Sequence, residues 1–226
     1  MAVILSDAFT GTNGDPVNTS NWTHRVSAGS GTALIQTNRM RLLSVGASYA
    51  ESYVLAAPAS GDIDDFEFVG SWDLAAAGEQ QYIKVFYRCT ENATSGSPQS
   101  CYALEIQVTD GNVYLGSVAS GGGYSGMAGP VAHTLDDTVR HWLKIRVVGT
   151  AHQIRWWDDG SSEPGTWNID TTNADWTTGR FLLAHVSGGD SNSRRADWDD
   201  ISIDDLVAPT NPTPSVVAIS ATIPAP

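Results

Sequence analysis

The chain has 226 residues and a mass of 24.0 kDa, with 25 acidic against 12 basic side chains and a formal net charge of −13. A sequence pI near 4.5 and only two lysines, Lys84 and Lys144, exclude the basic surface that nucleic acid or an anionic membrane requires. Eight tryptophans and 41 % hydrophobic residues exclude intrinsic disorder, and no apolar run is long enough to insert in a membrane as a helix.

The opening Met1-Ala2-Val3-Ile4-Leu5 is apolar but lacks a basic flank and a cleavage site, so it reads as a first strand over 2–9 and not as a signal peptide. Secretion by the usual route is not expected. Further strands are predicted at 22–26, 33–44, 49–56 and 64–73. In 82–88, Ile83, Val85 and Tyr87 share one face; in 102–108, Tyr102, Leu104, Ile106 and Val108 do the same. Between them, Cys89 and Cys101 flank a polar, turn-forming stretch. A hairpin there would set the two cysteines opposite one another, as a disulfide in an oxidising environment requires; two free buried thiols are the alternative. Strands follow at 112–118, 142–148, 151–158, 166–170, 180–186 and 195–204, punctuated by Asp110-Gly111, Gly149-Thr150 and Asp159-Gly160. No window keeps a 3.6-residue period. With 19 Asp against 6 Glu the composition also favours turns over helices. About a dozen strands joined by short turns make an all-β, two-sheet antiparallel sandwich. Residues 1–206 form one domain, and the Pro-rich, uncharged 207–226 is an extended tail, either docked on a partner or a linker.

Several of these segments carry a family resemblance. Ser6-Asp7-Ala8-Phe9 resembles the opening of laminin-G-like, concanavalin A-like jelly rolls, and Trp198-Asp199-Asp200-Ile201-Ser202-Ile203 resembles their closing strand. The run from His141 to Gly149, then Ile154-Arg155-Trp156-Trp157-Asp158-Asp159-Gly160, then Glu163-Pro164-Gly165-Thr166-Trp167, is similar to one in minor tail proteins of actinobacterial phages. The resemblance covers about residues 5–206. It implies a jelly-roll fold and a non-enzymatic virion protein of the tail or particle surface. The implied partners are other virion proteins, further copies of the chain and a host-surface glycan. Cys89 and Cys101 depart from that pattern. A carbohydrate-binding module and a β-glucanase-like glycoside hydrolase are the alternative functions.

Candidate chemistry is sparse. Asp62-Ile63-Asp64-Asp65-Phe66-Glu67 superficially resembles the paired-carboxylate strand of jelly-roll β-glucanases. It follows Ser60-Gly61, however, and reads as a solvated strand start, so no catalytic residue is assigned. Asp7 on the first strand and Asp199 and Asp200 on the last would approach one another if those strands pair, and a bulge at Asp199-Asp200 would turn a carboxylate toward a structural calcium. Acidic side chains facing water are the plainer alternative. Alternation in 152–157 puts Trp156 on the core face and Trp157 with Arg155 on the other. Pairing across the Gly149-Thr150 turn would add Trp142 and Arg146 to an aromatic and basic platform for a glycan. The alternative is that Trp157 packs under the loop from Pro164 to Trp167.

Overall fold

The computed structural model describes residues 2–45, 49–56, 61–75, 81–91, 98–107, 110–120, 123–133, 135, 139–188 and 194–206. The tail 207–226 lies outside them. The strands in chain order are β1 (Ala2–Asp7), β2 (Trp22–Ala28), β3 (Ser30–Ile35), β4 (Met40–Val45), β5 (Tyr49–Ala56) and β6 (Phe66–Ala75). Next come β7 (Gln81–Glu91), β8 (Pro98–Gln99), β9 (Cys101–Gln107), β10 (Asn112–Val118) and β11 (Tyr124–Ala132). The last are β12 (His141–Val148), β13 (Ala151–Asp158), β14 (Ile169–Thr172), β15 (Arg180–Gly188) and β16 (Arg194–Asp205).

They form the expected two-sheet antiparallel sandwich. One sheet runs β14-β13-β12-β6-β16-β4-β3, with β1 also on β16; the other runs β11-β10-β9-β7-β15-β5-β2, with β8 on β7. Strand alternation sends one set of side chains between the sheets. Leu143, Ile145 and Val147 of β12 meet Ile83, Val85 and Tyr87 of β7 and Tyr102, Leu104 and Ile106 of β9 in one continuous core. Phe66, Phe68, Phe181 and Trp198 pack ring against ring at its centre.

Three predicted boundaries need correction. The segment 33–44 is two strands, because Thr37 and Asn38 both take positive φ (53° and 56°) and close a two-residue hairpin between Gln36 and Arg39. β11 was not predicted: its Tyr-Ser-Gly-Met-Ala-Gly-Pro sequence has no apolar alternation, which suits an exposed edge strand. The short strand predicted at 166–170 is shifted to Ile169–Thr172.

Arg88 and His185 are among the polar residues buried with the core. Arg88, at φ 50°, sends its guanidinium to the carbonyl oxygens of Asp64 (3.0 Å), Gly149 (2.8 Å) and Trp176 (3.1 Å) and to the Asp65 carboxylate (3.1 Å). It thereby ties β7 to the start of β6 and to two loops of the opposite sheet's periphery. His185 of β15 is fully buried between the Ser44 hydroxyl (3.1 Å) and the Gln81 side-chain amide (3.3 Å).

Candidate functional site

The outer faces of the two sheets differ in kind. The β13–β12–β6–β16–β4 face is laced with ion pairs. Lys144 bridges Glu67 (3.3 Å) and Glu163 (2.9 Å), and Arg41 grips Asp197 through two 2.7 Å bonds. Arg39 pairs with Asp73.

The predicted platform lies on this face. Trp142 and Trp157 are cross-strand partners, their rings parallel within 10° and 6.2 Å apart, while Trp156 faces the core. Trp142 also donates to Asp159 (2.9 Å) and has the Arg140 guanidinium 5.7 Å from its ring centre. Trp142 is therefore occupied by Trp157, Arg140 and Asp159. Arg155 bonds the Pro164 carbonyl (2.7 Å), pairs with Glu163 and lies 4.1 Å over Trp167. Its role here is to pin the 163–167 loop. Arg146 is exposed, between Gln153 and Glu67 in register.

The expected calcium ligands do not converge. Asp7 on β1 does pair beside β16, opposite Ile201, and the predicted irregularity between Asp199 and Ser202 is present. The Asp7 carboxylate, however, accepts from the Phe9 amide (2.8 Å), Asn21 (3.0 Å) and the Trp22 indole (3.0 Å). Asp199 and Asp200 share the Arg140 guanidinium at 2.6 and 3.1 Å, so an arginine supplies the positive charge that a metal would have brought. Among the described residues no group of three or more His, Cys, Asp or Glu is placed to hold a metal ion. β7 and β9 pair and bring the two cysteines into side-chain hydrogen-bond contact. Cys89 and Cys101 are free buried thiols packed in one small apolar cluster with Phe86 and Leu182, and burial raises the Cys89 thiol well above its ordinary range. The Asp62–Glu67 cluster is a strand start: Asp65 holds Arg88 and the Gly149 amide (2.7 Å), and Glu67 holds Lys144.

The outer face of the second sheet is organised differently. Three rows of residues cross it, fixed by the strand register. The first is Gly116, Ala103, Phe86, Leu182 and Leu55, almost wholly apolar. The second is Tyr114, Glu105, Lys84, Ala184 and Tyr53. The third is Asn112, Gln107, Tyr82, Val186 and Glu51. A cavity of about 540 Å³ opens on this face, lined by side chains of all three rows together with Ser27, Pro98, Val118 and Tyr124. One flank is thus hydrocarbon and aromatic, and the other offers carboxylate, amide and ammonium groups. That division suits a ligand with an apolar face and hydroxyl-bearing edges.

Tyr124 is the most exposed aromatic here, at 47 %. It pairs with Val118, and its ring leans diagonally over Gly116. A β-carbon at position 116 would lie 2.5 Å from Tyr124 Cε2 and 2.6 Å from its hydroxyl oxygen. Only glycine lets the ring lie this close to the sheet. Burial and the nearby Glu105 charge both raise the Tyr124 phenol, so it stays a neutral donor. Of these residues the sequence offered Tyr53 and Tyr124, with Tyr49, as aromatics for a loop-borne glycan surface, and gave them no position; Tyr124 lies on β11 and Tyr53 on β5. The available signal was a charged residue in the middle of each of two apolar strands, Lys84 in β7 and Glu105 in β9; their opposition depends on strand order.

No family model and no curated protein sequence matches the chain. Solved structures do. A carbohydrate-binding module, CBM66 from Bacillus subtilis, superposes with a TM-score of 0.60 at 14 % identity, over 83 % of this chain and 98 % of that one. A glycosyl hydrolase family protein from Mycobacterium fortuitum gives 0.62 at 12 %, over 90 % and 100 %. The exoplasmic/lumenal domain of VIP36, in a Ca2+-bound form, gives 0.63 at 15 %, over 92 % and 91 %. The fold is a concanavalin A-like jelly roll. At these identities the likeness extends to the fold alone.

Proposed function

We propose that the protein is a non-catalytic glycan-binding jelly roll whose sugar site is the cavity on the outer face of the β11–β2 sheet. The observation that carries this reading is the exposed Tyr124, its phenol end held close over Gly116 beside a cavity with one apolar and one polar flank. A ring held in this way stacks on the hydrocarbon face of a pyranose, while Glu105, Gln107 and Lys84 bond its hydroxyls. The names of the structural neighbours, a carbohydrate-binding module and a glycosyl hydrolase among them, support a carbohydrate ligand.

The carboxylates of the cavity support binding over hydrolysis. Glu51 and Glu105 stand on β5 and β9, three strand spacings apart in the sheet order, about 14 Å at 4.8 Å per spacing. Glycoside hydrolysis needs its two carboxyl groups within about 5–9.5 Å. The resemblance of the His141–Trp167 run supports placing the module on a phage particle. There, other virion proteins and further copies of the chain would be its neighbours and a host-surface glycan its target. A single small site of this kind binds in the millimolar range, so adsorption would draw on many copies.

A glycan array followed by titration of tyrosine and tryptophan fluorescence tests the site. Wild type should bind at least one polysaccharide and release no reducing sugar from it, and Tyr124→Ala should lose about tenfold in affinity, roughly 1.4 kcal/mol. Binding unchanged in Tyr124→Ala would move the site elsewhere, and turnover would overturn the non-catalytic reading. Mass spectrometry of purified particles tests the setting.

A further inference from the structure

Which glycans the cavity admits is set by its charges. Glu51, Lys84 and Glu105 are the ionisable carboxylates and amine among its described lining residues. Lys84 Nζ sits 2.9 Å from Glu105 Oε1, with side chains 15 % and 20 % exposed, and the second Glu105 oxygen accepts from Gln107 Nε2 at 3.2 Å. Glu51 is buried and accepts the Ser27 hydroxyl. The Lys84 charge is thus already matched by Glu105, and Glu51 leaves these three groups with a net −1 inside a chain of net −13.

We propose that the Lys84–Glu105 pair is a charge filter, admitting uncharged saccharides and refusing those that carry carboxylate, sulfate or phosphate groups. This rests on the glycan-binding reading above. A carboxylate has about four lone-pair sites, and a neutral hydroxyl can donate to one of them without disturbing the ion pair. An anionic substituent must instead approach Glu105 and Glu51 in a partly desolvated cavity, where charge repulsion is screened far less than in bulk water. An anion that approaches the Lys84 ammonium meets the Glu105 carboxylate already held on it at 2.9 Å, a like charge at short range. Glu105 is therefore the residue that keeps Lys84 from serving as an anion receptor.

Isothermal titration with matched polysaccharides tests the filter. The probes are laminarin, mannan, levan and arabinogalactan, each in its neutral form and as its carboxymethyl derivative. Wild type should bind at least one neutral form and bind its carboxymethyl derivative at least tenfold more weakly. The gap should persist in about 0.5 M NaCl, where the Debye length of roughly 4 Å removes the long-range effect of the net charge but not the local one. Glu105→Gln should narrow the gap about tenfold, and Lys84→Gln should widen it. Equal affinity of wild type for both members of a pair overturns the filter while leaving glycan binding intact, and so does an unchanged gap in a folded Glu105→Gln protein. Failure to bind any of the eight preparations overturns the glycan-binding reading itself.

Discussion

Acidification should destabilise this protein well above the pH at which its carboxylates titrate, and His185 is the reason. The imidazole is fully buried between Ser44 of β4 and Gln81 of β7, with the Arg194 guanidinium of β16 adding like charge. Burial, then Arg194, lower its pKa from 6.5 to about 3. The unfolded chain therefore takes up a proton as the pH falls through 6.5, and the folded chain does not follow until about pH 3. Stability is lost over that whole window. The loss reaches about 5 kcal/mol at its lower end and is about 2 kcal/mol between pH 7.5 and pH 5. Burial also lowers His24, His133 and His152, which act in the same direction. Asp73 and Asp199, raised by burial, act oppositely but in the carboxylate range, below the interval chosen. Urea unfolding at half-unit steps from about pH 7.5 to about pH 5 gives the slope, and His185→Gln should flatten it by the His185 share of about 2 kcal/mol, whatever its own effect on stability at pH 7.5. An equal slope in both proteins would refute the assignment of a neutral buried imidazole.

Three further outcomes are expected. Gly116→Ala should displace the Tyr124 ring and weaken glycan binding about as much as Tyr124→Ala, roughly tenfold, with little change in the denaturation midpoint; unchanged affinity would show that the ring's position over residue 116 is not what binds. Cys89 and Cys101 should resist alkylation in the native protein and both react after unfolding without reductant, and a mass two hydrogens short in the untreated protein would show a bridge instead. Arg88→Met should cost about 3–5 kcal/mol by urea unfolding, because it strands three carbonyls and the Asp65 carboxylate; a loss under about 1 kcal/mol would mean that water replaces the guanidinium.

Alternation made the core legible from sequence: the inward sets of β7, β9 and β12 are those expected, Val108 of the 102–108 set lying outside the described residues, and Trp156 and Trp157 part to opposite faces as the period of two demands. The hairpin at Thr37-Asn38 escaped because threonine is not a residue that announces positive φ. The calcium expectation placed Asp199 and Asp200 correctly at an irregularity of β16 but had no means of seeing Arg140, which reaches them across 59 and 60 residues of sequence. The cavity was missed for the same kind of reason. Lys84 and Glu105 each look like an ordinary outward residue of a half-buried strand. They become a site only because β9 lies beside β7, and because a glycine in β10 sits diagonally from a tyrosine in β11. Pairing order is a property of the whole fold, and a local pattern does not encode it.

The acceptors gathered by Arg88 lie up to 88 residues from it along the chain, at Asp64, Gly149 and Trp176. During synthesis the set of acceptors is complete only once residue 176 has left the ribosome. The contacts that enclose the guanidinium close loops of 24, 61 and 88 residues and draw on strands that must already be in place. Removing them should leave the folding rate nearly unchanged and make the protein unfold faster. Arg88 is then a latch that sets how long the finished sandwich lasts, and the speed of its assembly is decided elsewhere.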